Sequence, residues 1–456
     1  MKILIILVLL NFLYSFGNGS NLNIHLVKNG GLKFGDKTIC PLSYGGEDCS
    51  LANTTELCNH AQDPHYGEVG PICCWSKYRK QIDLTDLKLT DGENENKSEN
   101  DKIFSIFETY GPFFDRDVDL VNSILEKDTF GEYKMKYQDF FQRNPNNNQI
   151  QREPSQPLGF VILIHKIDID AIDNLFKVLY QPYHYYVIHI DKNFSDLNKI
   201  QLLNDYLKDL QAKGRATENI YEKYPNNIKI SDLRFNGEWG TISLVYMELA
   251  SYTVLFDMVE ERSQATNLPS LFSHMINYSL NDMITRSLKN ISRTLFEGEN
   301  IDTTYLHCCM ADVKARYDRI YYEDHKGVGI SKNAISKYGC GIEAVPSKGD
   351  VLDGSQWHFL TSKFVHFLIS STKSLEKLFS LKFSMIPDES FFQNGQAIFN
   401  GPVEKRTHRA TLWNNIRYNV SISDLDLIDR EETFIIRKVY DNNVREEMIK
   451  RYNLLE

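Results

Sequence analysis

The sequence predicts an α/β protein: a doubly wound, mostly parallel sheet preceded by a small disulfide-rich N-terminal module. From Leu158 onward, short apolar runs dense in β-branched residues alternate with segments of helical period. Five of the eight cysteines (Cys40, Cys49, Cys58, Cys73, Cys74) crowd into the first 74 residues. With 456 residues, 42% of them hydrophobic, the chain has room for more than one core.

At the N-terminus, Ile3 to Phe16 is almost wholly apolar and runs into Gly17, Asn18, Gly19 and Ser20, small residues that suit a cleavage site. Residues 1–19 are therefore expected to be a signal peptide, with a short type II anchor as the alternative. The run is shorter than the roughly 20 residues needed to cross a bilayer, so membrane association is expected only if the segment is retained. Export leaves cysteines free to pair, and residues 22–80 read as a stapled module. The odd number on each side (five, then Cys308, Cys309 and Cys340) requires a bridge between the regions or unpaired thiols, and connectivity stays open. A zinc site is the rival reading, but no paired C-x-x-C spacing with partner histidines is present. Sequons at Asn18, Asn53, Asn96, Asn193, Asn277, Asn290 and Asn419 fit the lumen of the secretory pathway, with the Golgi as the expected station. Asn277 lies in an apolar, strand-like stretch and is expected to stay unglycosylated.

Residues 81–157 read as acidic and polar linker and stem. An acidic run (Asp91 to Asp101) and an Asn/Gln/Pro stretch (Arg143 to Pro157) lack hydrophobic period, and Ile103 to Phe141 between them reads as a helical stem. The main domain is expected over residues 158–456. GFVILIH (Gly159 to His165), then Ile172, Leu175, Phe176 and Leu179 at helical spacing, then YYVIHI (Tyr185 to Ile190) form a β-α-β unit. Strands so joined lie parallel, which puts ligand chemistry just after His165 and Ile190. Further helices are expected at Lys199–Ala212, Ser243–Glu261, Asn281–Leu295 and Lys363–Phe379, and further strands at Ile228–Ser231, Leu271–Asn277 and Gln356–Leu360.

The chain carries 51 Lys+Arg against 61 Asp+Glu, a net charge of −10. No dense cationic surface is available for a phosphate backbone, so nucleic acid is excluded as a partner. Asp191 and Lys192 stand at the sheet edge that binds ligands, where a helix cap or surface pair is the bland reading. Asp168-Ile169-Asp170 has the D-x-D form that can hold a metal-nucleotide, yet two carboxylates before a helix are more often N-terminal caps. In IPDESFFQ (Ile386 to Gln393), Asp388 and Glu389 stand between a proline and two phenylalanines. A carboxylate in a partly apolar pocket suits a general base, and a solvated helix start is the alternative. Downstream, Lys405, Arg406, His408, Arg409, Arg417, Arg437 and Lys438 supply cations that can neutralise a diphosphate or simply face solvent.

FVILIH, YYVIHIDK, NGEWGTISLV (Asn236 to Val245), INYSLND (Ile276 to Asp282), GSQWHFLT (Gly354 to Thr361), PDESFFQ, THRATLW (Thr407 to Trp413) and IIRKVYD (Ile435 to Asp441) occur in that order. Taken together, they resemble the core-2/I-branching and peptide O-xylosyltransferase family of glycosyltransferases over residues 158–441. The resemblance implies a type A glycosyltransferase fold that binds a UDP-sugar and inverts the anomeric carbon without a metal. Carried over by motif, Glu389 is the base that deprotonates the acceptor hydroxyl. Arg409 and Lys438, with Arg437, hold the UDP phosphates, and Asp191 contacts the nucleotide. Trp239, Asp282 and Trp357 fall in matching motifs and line the donor or acceptor cleft. The chain departs from the family pattern at Tyr278, where leucine is usual, and at Met283-Ile284, where Tyr-Pro follows the aspartate. The implied function is transfer of GlcNAc or xylose to a hydroxyl of a glycan or glycoprotein acceptor, with a non-catalytic carbohydrate-binding protein on the same fold as the alternative.

Overall fold

The computed structural model describes residues 24–26, 31–34, 37–40, 44–45, 47, 49, 51–52, 99–110, 115–125, 157–217, 227–266, 271–296, 302–310, 351–382, 384–411, 419–428 and 432–455. The N-terminal leader, Cys58, Cys73, Cys74, Cys340, nearly all of both polar linkers, and Trp413 lie outside them. Among the described residues no helix is long and apolar enough to cross a membrane.

At the N-terminal end, β1 (Ile24–Leu26), β2 (Leu32–Phe34) and β3 (Lys37–Ile39) form an antiparallel sheet, and β4 (Tyr44–Gly45) pairs with β5 (Leu51–Ala52). A disulfide joins Cys40 to Cys49 with Cα atoms 5.3 Å apart, tying the end of β3 to the β4–β5 connection. The segment read as a stem contains α1 (Glu99–Tyr110) and α2 (Asp115–Leu125). Neither stands apart from the rest of the molecule. Ile103 and Phe107 of α1, and Leu120, Val121 and Ile124 of α2, are buried in the core that also holds Ile24, Leu32 and Ile39.

The main domain runs β6 (Gly159–Ile164), α3 (Ile169–Leu179), β7 (Tyr185–Ile190), α4 (Leu197–Thr217), β8 (Ile228–Ile230), α5 (Ser243–Thr266), β9 (His274–Ser279), β10 (Asp282–Ile284), α6 (Leu288–Phe296), β11 (Thr304–Met310) and β12 (Asp353–Thr361). It continues through α7 (Ser362–Ser370), α8 (Thr372–Ser380), a 3-10 turn at Pro387–Glu389, α9 (Phe391–Phe399), β13 (Val403–Glu404), β14 (Arg409–Thr411), β15 (Ile435–Arg437) and α10 (Asn442–Tyr452). Seven strands form one sheet in the order β13-β11-β12-β9-β6-β7-β8. The pairs β6–β7, β6–β9, β7–β8 and β11–β13 are parallel, whereas β12 runs antiparallel to both neighbours. The expected α/β class with a mostly parallel sheet is what forms.

Alternation sorts the strand residues onto two faces. Val161, Val187, Met275 and Leu360 meet α5, which is apolar around most of its circumference and is buried accordingly. Phe160, Ile162, Tyr186, Ile276 and Phe359 meet α3 and α10 on the opposite face. Phe160 stacks on Tyr186 at 5.2 Å, and the Tyr186 hydroxyl donates to the Leu179 carbonyl, which closes the β-α-β unit.

Two expectations change. The helix expected from Asn281 is instead β10 followed by α6 from Leu288, because Met283 and Ile284 are buried in register against Ile436 and Ile435 of β15. A short apolar run does not announce whether it is strand or helix, and its partner lies far along the chain. The helix expected over Lys363–Phe379 is broken at Ser371, which caps α7 through its N–H to the Phe367 carbonyl. Asn277 is fully buried, which precludes a glycan there, as its apolar surroundings indicated.

Candidate active site

The carboxyl ends of β7 and β9 lie on one edge of the sheet, and the residues that follow them face the same region. Asp191, just after β7, donates its N–H to the Ile164 carbonyl at 2.8 Å, so the exits of β6 and β7 stay side by side. Its Oδ1 accepts from the Asn193 N–H and its Oδ2 from the Gly237 N–H, both at 2.8 Å. The carboxylate thereby joins the β7 exit to the 236–241 loop that carries Trp239. Arg234 braces the same turn, donating to the carbonyls of Ile190, Asp191 and Phe194.

Two buried histidines serve this scaffold as neutral acceptors. His184 Nδ1 accepts from the Leu158 N–H at 3.0 Å, and His189 Nε2 accepts from the Phe235 N–H at 3.1 Å. Burial, helped by Arg234, pulls the His189 pKa down to about 3, and burial also holds His184 well below its ordinary value. Below pH 6.5 the unfolded chain binds protons at these rings while the folded chain does not, so stability rises with pH across that window. For His189 the loss is about 1.4 kcal/mol per pH unit between 6.5 and 3. Thermal melts should therefore show a lower midpoint at pH 5 than at pH 7, and an unchanged midpoint would refute the neutral-acceptor assignment.

The cationic part of the site forms where β10, β14 and β15 meet. Asp282 lies opposite Arg437 in the β10–β15 register. Its Oδ2 accepts from Arg409 Nη1 at 3.1 Å and from the Ser279 N–H at 2.8 Å, and its Oδ1 lies 3.5 Å from Arg437 Nε. Arg409 Nη2 also donates to the Asn277 carbonyl at 2.5 Å. Both guanidiniums lie over the Trp357 indole, Arg437 at 3.6 Å and Arg409 at 4.8 Å from the ring centroid. Burial pulls the Arg409 pKa down to about 10 against the opposing effect of Asp282, so the group stays charged at neutral pH. Two cations thus share one carboxylate. Arg409 Nε and Arg437 Nη1 are buried with no hydrogen-bond partner among the described residues.

Glu389 closes the 3-10 turn at Pro387–Glu389 and is half-buried. The turn is entered through Ile386 at φ 57°, a left-handed conformation that costs a β-branched residue about 1–3 kcal/mol. The Ile386 N–H donates to the carbonyl of Gly240 at 3.0 Å. Gly240 itself stands at φ 84°, which glycine adopts without penalty. The turn is thus joined to the loop that Asp191 holds. The hydroxyl of Ser390 does not cap α9; it donates to Asp353 Oδ1 at 2.7 Å and fastens the turn to the start of β12. Gly354 is required there, because a Cβ would lie 1.8 Å from the His307 carbonyl oxygen.

A polar network sits directly behind Trp357 on the other face of β12. Glu248 of α5 accepts from the Tyr252 hydroxyl at 2.7 Å and from Asn277 Nδ2 at 3.1 Å, and it meets His358 Nε2 at 3.0 Å. Asn277 Oδ1 in turn accepts from the His358 N–H at 3.1 Å. These groups hold β9 and β12 in register where the first offers a carbonyl to Arg409 and the second presents Trp357.

The structure therefore brings Asp282, Arg409, Arg437 and Trp357 into direct contact, and it joins Asp191 to the Trp239 loop through the carboxylate and that loop to the Glu389 turn through a main-chain bond. β12 is shared by the two groups. Trp239 is 59% exposed, an aromatic surface open to a ligand. Lys438 follows Arg437 with a half-buried side chain, and its carbonyl accepts from the Val420 N–H. Asp168 is the N-cap of α3, accepting from the Ala171 N–H at 3.2 Å, and Asp170 lies in the first helical turn. Sequence reasoning missed Glu248, Tyr252 and His358. A glutamate inside an otherwise apolar helix was the available signal.

The family model described as Core-2/I-Branching enzyme matches residues 158–424. The chain is similar to Xylosyltransferase 2 of Canis lupus familiaris, 24% identical over 277 residues, covering 57% of this chain and 27% of that protein. It is similar to Xylosyltransferase 2 of Homo sapiens, 25% identical over 249 residues, covering 52% and 24% respectively. It is likewise similar to Xylosyltransferase 1 of Rattus norvegicus, 24% identical over 279 residues, covering 59% and 30%. The match spans less than a third of the length of each of these relatives.

Proposed function

We propose, because the chain belongs to the Core-2/I-branching enzyme family, that it moves a sugar from a UDP-sugar onto a hydroxyl of a glycan or glycoprotein acceptor. The observation that carries this reading is the pair of buried guanidiniums, Arg409 and Arg437, sharing the single carboxylate of Asp282 beside Trp357. Such excess positive charge, with donors still unused, suits a departing diphosphate. Displacement is direct: the acceptor oxygen bonds to the anomeric carbon as the carbon–phosphate-oxygen bond breaks on the opposite face. The electron pair leaves with UDP, the acceptor proton passes to Glu389, and the anomeric configuration inverts. Lys438 adds charge at the diphosphate. Asp191 contacts the nucleotide through lone pairs that its two backbone bonds leave available, while Trp239 offers an apolar face to a sugar.

In this reading the fold is of the glycosyltransferase type A class, the protein works in the secretory pathway, and the cations take the place of a metal at the diphosphate. The relatives named xylosyltransferase make UDP-xylose the first donor to test, with UDP-GlcNAc second. The test is a donor screen in EDTA with UDP-xylose, UDP-GlcNAc, UDP-glucuronate, UDP-galactose and UDP-glucose, recording UDP release and thermal shift. Release from one donor is expected. Silence from all five in folded protein would favour the non-catalytic carbohydrate-binding alternative.

Arg409→Ala and Lys438→Ala should each weaken UDP binding, by about 10–150-fold for a charge-assisted hydrogen bond worth about 1.5–3 kcal/mol. Calorimetric titration with UDP checks this, and unaltered affinity in both would remove these residues from the phosphate site.

A further inference from the structure

The 236–241 loop and the Glu389 turn meet at the Gly240–Ile386 bond, and the chain segments that carry them meet a second time, deeper in the molecule, at a carboxylate from outside the family-matched region. Asp117 of α2 is fully buried. Its Oδ1 accepts from the hydroxyl of Tyr246, in the first turn of α5 just after the loop, at 2.7 Å. Its Oδ2 forms an ion pair with Lys382, four residues before Ile386, and both side chains are 0% exposed. The helix is further seated by Val118, Leu120 and Val121 in the core around Phe235 and Tyr246.

We propose that Asp117 is a positioning residue of the transfer site: it clamps Tyr246 to Lys382 and so holds the turn bearing Glu389 against the 236–241 loop. This rests on the transferase reading for its kinetic consequence, though the clamp itself can be read without activity. Ile386 persists in a left-handed conformation only where its surroundings over-determine it. The Gly240 carbonyl does so at one end and the Asp117–Lys382 pair at the other. The ion pair excludes water and leaves Lys382 no freedom to carry the turn away, so severing it loosens the turn without touching the cations that meet the diphosphate.

The test is the double variant Asp117→Asn with Lys382→Met in the full chain. It removes both charges at near-equal volume and keeps an acceptor for the Tyr246 hydroxyl. The expected result is a folded protein whose kcat falls about 10–100-fold, the scale of a small misplacement of a catalytic group. The KM for the donor and the affinity for UDP should stay within threefold. In hydrogen exchange, the amides of Ile386 and Glu389 should exchange about 10-fold faster while those of β6 and β7 keep their protection. Unchanged turnover with unchanged exchange would overturn the proposal, as would joint loss of UDP binding and turnover, which marks a residue needed only for stability. Should the double variant fail to fold, Tyr246→Phe cuts the other arm by one hydroxyl and must show the same kcat-without-KM split on a smaller scale. Faster exchange at Ile386 in a protein whose wild type transfers no sugar would support the clamp and sink the activity reading.

Discussion

Glu389→Gln is expected to lower glycosyl transfer by a factor of about 10²–10⁴, the range that a positioned general base contributes. The amide keeps the volume and the turn, whose backbone bonds from Ile386 to Gly240 and from Glu389 to Ile386 do not involve the side chain. It removes the negative charge and with it the capacity to accept the acceptor's proton. UDP binding should therefore stay within about twofold of wild type, because the Arg409–Asp282–Arg437 cluster is built from other strands. Turnover number and UDP affinity, measured on the same preparation, separate the roles. A variant with full activity would mean that another group takes the proton, and a variant that also loses UDP would place Glu389 in the donor pocket.

Asp282→Ala is expected to have the largest effect on stability. Its carboxylate is fully buried between two guanidiniums and also accepts the Ser279 N–H. Removing one partner of such a cluster leaves buried charge without compensation, at a cost of about 3–5 kcal/mol. For a domain of this size that corresponds to a fall in melting temperature on the order of 10 °C. The Arg409 pKa, already lowered by burial, loses the influence that opposes it and should fall further. Bound UDP should restore part of the lost stability by supplying negative charge to the same guanidiniums, so the thermal shift produced by UDP should be larger in the variant than in wild type. If UDP protects the variant no better than it protects wild type, the diphosphate does not sit on this cluster.

Much of the sheet was legible because it obeys local rules. GFVILIH and YYVIHI are short, β-branched and joined by a segment of helical period, and they form parallel β6 and β7 as expected. Asp191 fell where a strand exit should place it. The small β10–β15–β14 sheet was not legible. Its strands are three residues each and β10 lies more than a hundred residues from both β14 and β15, so neither alternation nor turn chemistry announces them. The polar groups that position the site were equally hidden. Glu248 meets His358, and Asp117 meets Lys382, across separations of 110 and 265 residues.

By itself the sequence determined the α/β class, the order of the main strands and helices, and a set of ordered motifs that names the family and nominates Glu389, Arg409, Arg437 and Lys438. These properties follow from hydrophobic period and residue type, which act over a few residues. Only the tertiary structure decided that Arg409 and Arg437 share Asp282 over Trp357, that the Glu389 turn hangs from Gly240, and that Asp117 of α2 meets both Tyr246 and Lys382. Each of those depends on charges and hydrogen-bonding groups removed from water together. Which groups are buried side by side is set by the packing of the whole chain, since a buried polar group is stable only where distant segments converge to supply its partner.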